Sequence, residues 1–167
     1  MTMKTLKYLS IMICILSIFG CKPETFGPIT SDVQVLKQMQ GTWNLTKVVQ
    51  VDQDAKTKGF PYKELDITNI YPYKDLVIAL QVDASGNPSA FTITNGNAPK
   101  IADLTSGNWT VDNNVAPTVI TLKNGAITNN LSLGSYAGLS SGKFYLTKNK
   151  SVNGKVIVSY QYEFTKK

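Results

Sequence analysis

The sequence contains no histidine and no arginine, and only two cysteines, Cys14 and Cys21. Without histidine, neither a Ser-His-Asp nor a Cys-His arrangement can activate a nucleophile. Zinc sites built on histidine or several cysteines are excluded for the same reason. Without arginine there is no planar fork for bidentate recognition of carboxylate or phosphate. All 17 basic residues are therefore lysines, point charges on flexible stems. Cys14 lies inside the N-terminal apolar run, so the rest of the chain holds one cysteine and no internal disulfide. No apolar run reaches the ~20 residues a membrane-spanning helix needs.

The longest apolar run, Tyr8–Phe19, follows Lys4 and Lys7 and ends at Gly20-Cys21. A basic start, a short apolar core and a small residue before the cleavage point make a secretory signal. Ile18-Phe19-Gly20-Cys21 resembles the bacterial lipobox, with Phe19 bulkier than the Ala or Ser usual at its position. The expected organisation is a signal peptide at residues 1–20, a tether at 21–30 and one domain at 31–167. A diacylglycerol on the Cys21 sulfur plus an N-acyl chain, at about 0.8 kcal/mol per buried methylene, would anchor the chain permanently. The tether carries Pro23, Gly27 and Pro28. The expected membrane partner is thus reached through lipid on Cys21.

The formal net charge is +6, and two of those charges, Lys4 and Lys7, belong to the signal. The remaining charge is scattered. Lys148 and Lys150 near a hairpin tip and the terminal Lys166-Lys167 read as solvated ends, so no nucleic-acid partner is expected. Carboxylates offer little chemistry. Asp52-Gln53-Asp54 begins like a calcium loop but lacks the downstream glycine and closing glutamate. Glu64 and Asp66 share a face without an opposing carboxylate in evident reach. No cofactor, no metal site and no enzymatic activity are expected.

Ser31 and Gln34 have capping-box spacing ahead of Val33, Leu36 and Met39, which recur near helical period and stop at Gly41. From Thr42 the pattern is strands and turns. Candidate strands are 43–51, 76–82, 90–94, 108–111, 118–123, 127–133, 143–147 and 156–164. The last is the clearest, with Val156, Val158, Tyr160, Tyr162 and Phe164 on one face. Asn153-Gly154 is a hairpin turn that joins the final two strands. Residues 52–61 read as a loop over one end, while Leu65–Tyr73, interrupted by Pro72, fits neither template. Eight or nine short strands without a long helix imply a sandwich or a closed barrel.

Gly41-Thr42-Trp43 at the start of the first strand resembles the Gly-x-Trp motif of the lipocalin-like superfamily, whose indole packs across the closed barrel end. Gly-Thr-Trp-Asn-Leu-Thr-Lys-Val, Ser-Gly-Asn-Trp109-Thr-Val and the closing Ser-Tyr-Gln-Tyr-Glu-Phe, together with the lipobox, look like Bacteroidota outer-membrane lipoproteins carrying a lipocalin-like domain of unknown function. The resemblance spans roughly Leu36–Lys167. It implies an all-β fold, a small antiparallel lipocalin-like barrel of about eight strands with a short N-terminal helix, and an outer-membrane location. Gly107-Asn108-Trp109 echoes the first motif; little else repeats, so both are read as independent strand starts with large core anchors. Cys21-Lys22-Pro23-Glu24 is weakly similar to surface-export signals of this bacterial group, leaving the periplasmic face and the cell surface both open.

Two functions follow. The first is an envelope binding module holding a small hydrophobic or glycan-like ligand in a cavity lined by Trp43, Phe91, Trp109, Tyr160, Tyr162 and Phe164. The second is a solid barrel that docks another envelope protein.

Overall fold

The computed structural model describes residues 33–167. The signal, Cys21, the tether and the expected helix cap Ser31 lie outside them. A seven-residue helix, α1 (Val33–Met39), precedes nine strands: β1 (Gly41–Asp52), β2 (Glu64–Asp66), β3 (Val77–Val82), β4 (Pro88–Thr94), β5 (Ser106–Val111), β6 (Val119–Asn124), β7 (Ile127–Leu133), β8 (Lys143–Val152) and β9 (Lys155–Lys166). A short helix, α2 (Gln53–Thr57), follows β1. All strand pairs are antiparallel. From β3 to β9 each strand pairs with the next, and β1 pairs with both β3 and β9. The sheet thus closes on itself as an eight-stranded barrel, and β2 is an extra short strand beside the second half of β1. No helix among the described residues is long and apolar enough to cross a membrane.

Closure depends on a bend in β1. Its first residues, Gly41–Asn44, pair with β3, while Val49–Val51 pair with β2. A register shift between Leu45 and Lys47 on the β9 side supplies the extra residue that turns the strand. Before it Trp43 and Leu45 face inward; after it Val48 does, opposite Tyr162. The alternation read from the sequence is therefore loose over β1 because the strand changes phase partway along.

Inside, one buried side chain follows another around the wall: Ile78 and Leu80, Phe91 and Ile93, Trp109, Ile120 and Leu122, Leu131, then Phe144 and Leu146. At about 1.5–3 kcal/mol for each large apolar side chain, this burial dominates the favourable side of folding. Helix α1 closes one end. Leu36 and Met39 are buried there, and the Trp43 indole N–H donates to the Met39 carbonyl at 2.8 Å. That bond satisfies one of the carbonyls that a helix end leaves without an intrahelical partner. Trp109 does the same for the Gln81 carbonyl at 2.6 Å. Each Gly-x-Trp motif thus places a fully buried, hydrogen-bonded indole at a strand start.

The far end is closed by connections. Ile101, Ala102 and Leu104, between β4 and β5, are buried, and so are Tyr73 and Leu76 ahead of β3. Residues 52–61, expected as a loop, contain α2. Asp52 caps it, its carboxylate accepting from the Asp54 and Ala55 amides at 2.9 Å. Lys58 and Lys155 both reach Asp54, at 2.7 and 3.2 Å, tying α2 to the start of β9.

Candidate functional site

The final hairpin is longer than its sequence pattern suggests. Strand β8 runs to Val152, and Asn153 and Gly154 turn it with φ of 49° and 77°. Both residues tolerate that left-handed backbone, so the two-residue turn fixes the register. Leu146 lies opposite Tyr162 and Lys148 opposite Tyr160. Along the inner face, β8 therefore reads Phe144, Leu146, Lys148, Lys150. The stripe changes from apolar to cationic where the hairpin passes the barrel rim. Water reaches the ammonium groups there while the stems stay on apolar surface.

Opposite this stripe stand Tyr71 and Tyr73, held edge-to-face with ring centroids 5.9 Å apart. Pro72 separates them, and a single 3-10 turn, Tyr73–Asp75, follows. Pro99 and Lys100 form the remaining side, above the buried Ile101. Together these groups surround an open recess of about 370 Å³ at the rim. The Lys148 ammonium donates to the Ile101 carbonyl at 2.8 Å, fixing the hairpin to the connection below it. The Lys150 ammonium lies 5.7 Å from the Tyr160 ring centroid, within cation–π range.

Two lining residues stand out electrostatically. Tyr73 and Tyr162 are each only 5% exposed. Among the described residues, neither phenol has a hydrogen-bond partner, and neither hydroxyl is sealed from solvent. Burial, then the neighbouring Tyr73 and Tyr160 phenols, push the Tyr162 hydroxyl well above the ordinary phenol range. Tyr73 shifts the same way, through burial first and then Tyr160 and Tyr71. Both are neutral O–H groups at any physiological pH, able to donate and accept. No carboxylate is among the residues lining the recess.

The six aromatics singled out in the sequence divide into two sets. Trp43, Phe91, Trp109 and Phe164 are at most 1% exposed and pack within the barrel core. Phe144 joins Trp43 and Phe164 there, at centroid distances of 5.2 and 6.1 Å. Tyr160 and Tyr162 instead line the rim recess. The structure adds Tyr71, Tyr73, Lys100, Lys148 and Lys150 to them. The hairpin register could have supplied the two β8 lysines, since Asn153-Gly154 aligns Lys148 with Tyr160. Nothing local marks Tyr73 or Lys100 as their neighbours.

A groove of similar volume lies on the outer wall over β1, β8 and β9, beside Lys47, Val49, Tyr145 and Gln161. Its main charge, Glu163, is already paired with Lys143 at 2.9 Å. The rim recess is the stronger site. Among the described residues, no group of three or more His, Cys, Asp or Glu side chains could hold a metal ion.

A family model described as a domain of unknown function, DUF5004, matches residues 23–165, nearly the whole chain. The chain belongs to the DUF5004 family. No curated protein and no solved structure matches it. The matched span of the DUF5004 domain includes every strand of the barrel but for the last residue of β9, and every residue of the rim recess.

Proposed function

We propose that this DUF5004 domain is a binding module of the bacterial envelope, and that its ligand occupies the rim recess. The single observation behind this reading is a pair of nearly buried tyrosines whose hydroxyls have no protein partner, in a concavity edged by lysines. Both hydroxyls keep contact with solvent in the recess and make no bond to the protein, so each is free to bond a ligand. The aromatic faces suit a flat or ring-bearing ligand, glycan-like rather than a long acyl chain. The volume lies at the small end of the range of about 300–1,000 Å³ usual for small-molecule sites. Native mass spectrometry of the full chain purified from its own envelope tests this. A retained small molecule, lost in Tyr162→Phe, is the expected result. A chain that carries nothing, and that gains no thermal stability from any member of a broad glycan and metabolite panel, would sink the reading.

The anchoring belongs to the same proposal. The lipobox-like Ile18–Cys21 and the similarity to lipocalin-like Bacteroidota lipoproteins support lipid on Cys21 and an outer-membrane location. Cys21→Ser should release the protein from membranes while leaving the barrel folded. Membrane retention unchanged in that variant counts against the anchor.

A second reading has its own observation. Phe60, Tyr62, Leu65, Ile70 and Tyr71 are all more than half exposed, within one short stretch of chain. Large exposed apolar groups gathered in this way mark interaction surfaces. A solid barrel docking another envelope protein would use them. Cross-linking in intact cells should then recover one repeatable partner, lost when Tyr62 and Ile70 are replaced by serine.

A further inference from the structure

The chemistry of the recess restricts what it holds, given the binding reading above. Sugar hydroxyls donate as readily as they accept, so a neutral glycan needs acceptors from its protein. Carboxylates and side-chain amides are the usual supply. This recess offers neither among its lining side chains. It offers ammonium groups, which only donate, and phenols, which do both.

The three lysines are not equivalent. Lys148 is committed to the Ile101 carbonyl. Lys100 and Lys150 make no salt bridge among the described residues. Two unneutralised ammonium groups thus flank a wall of aromatic rings. Without arginine, the site recognises an anion by charge rather than by the bidentate geometry of a guanidinium. A ring to pack on tyrosine and a negative charge at its edge complement this arrangement. Sugar C–H faces pack on aromatic rings, and acidic sugars carry the charge on the same ring.

We propose that the ligand of the rim recess is an acidic saccharide, its ring packed against Tyr71 and Tyr160, its hydroxyls met by the Tyr73 and Tyr162 phenols, and its carboxylate or sulfate held by Lys100 and Lys150.

The test compares digalacturonate with its fully methyl-esterified form, titrated calorimetrically into the full chain. The ester keeps the rings and removes the charge. The acid should bind about tenfold or more tightly than the ester, the range expected of hydrogen bonds to charged groups. Its affinity should fall as salt rises from about 50 to about 500 mM, because the lysines are solvent-accessible. Lys100→Ala/Lys150→Ala should abolish the acid's advantage without moving the thermal midpoint. A matching panel of sulfated and sialylated disaccharides separates carboxylate from sulfate recognition, and preference for either supports the proposal. Equal binding of acid and ester would overturn it while leaving a binding module. No binding by any acidic saccharide would overturn it as well, and a retained neutral molecule in native mass spectrometry would still uphold the module. Binding to anionic phospholipid vesicles with no binding to any saccharide would replace it with a headgroup site.

Discussion

Asp112 ties together the two ends of the connection from β5 to β6, while Asn113 holds its middle by accepting from the Val115 and Ala116 amides. The Asp112 carboxylate accepts from the Thr118 hydroxyl at 2.5 Å, from the Thr118 amide at 2.8 Å and from the Val119 amide at 2.9 Å. The Thr118 hydroxyl first, and the Val119 and Thr118 amides after it, hold its pKa down at about 2. In the unfolded chain an aspartate titrates near ~3.9. The folded state therefore binds fewer protons across that window, and its stabilisation is complete above about pH 4 and lost as pH falls through about 2. Asp112→Asn should flatten this dependence. The wild type should lose more of its thermal midpoint between about pH 4 and about pH 2 than the variant does; parallel profiles would show that Asp112 contributes nothing. Tyr162 makes the opposite case. Its ring is packed in the core, but its hydroxyl has no partner among the described residues. Tyr162→Phe should change stability by less than about 1 kcal/mol. Trp43→Ala, by contrast, should cost about 3–5 kcal/mol. Urea unfolding of both variants measures the difference. A large loss in Tyr162→Phe would mean that the hydroxyl serves the fold and leaves none for a ligand.

The elements differ in how openly their sequences announce them. Strand β9 alternates cleanly, and its expected inner face is the observed one from Tyr160 to Phe164; Val156 and Val158 lie outside the core, and Ser159 on the opposite face is buried. Asn153-Gly154 specifies its own turn and hence the pairing of β8 with β9. Leu65–Tyr73 matches neither period because it is mostly turns, with only Leu65 and Asp66 belonging to β2 and lying exposed on β1. The recess was half legible for the same reason. Tyr160 and Tyr162 stand on a strand whose facing is readable, whereas Tyr73 and Lys100 come from connections brought together only by barrel closure. Glycines separate along the same line. Gly154 serves its turn and has nothing within 4 Å of a substituted Cβ, so only its φ of +77° opposes a side chain. Gly107, at φ +149°, would place a Cβ 2.2 Å from the Lys123 carbonyl oxygen on β6. Gly154→Ala should cost about 1 kcal/mol, the price of the left-handed backbone alone. Gly107→Ala should cost at least about 3 kcal/mol, because β6 cannot retreat without breaking its ladder with β5 or β7. Equal midpoints for the two variants in urea would refute the close approach of β5 to β6.

At the scale of the whole molecule, the barrel closes by joining its first and last strands. Strand β1 pairs with β9 from Trp43 opposite Lys166 to Asp52 opposite Val158. Such a non-local seam means that no part of the wall is complete until the last strand is in place, so folding should be slow and all-or-none. Helix α1 belongs to this unit. It sits within the compact body Ser31–Lys167, buries Leu36 and Met39 in the barrel, and presents the carbonyl that holds the Trp43 indole. Lys166 reaches the same place, its ammonium 5.2 Å from the Trp43 ring and 3.4 Å from the Gln38 carbonyl. Removing residues 1–30 should therefore leave a domain that unfolds in one cooperative step. Removing residues 1–40 takes away two buried side chains worth about 2–5 kcal/mol each and leaves the indole N–H without its acceptor. Against a total stability of about 5–15 kcal/mol, that loss removes much or all of the margin. Thermal unfolding followed by near-ultraviolet circular dichroism distinguishes the two fragments. The shorter one should show a midpoint lower by about 10 °C or more, or no cooperative transition at all. Matching transitions in both would make α1 an appendage of the barrel and not its plug.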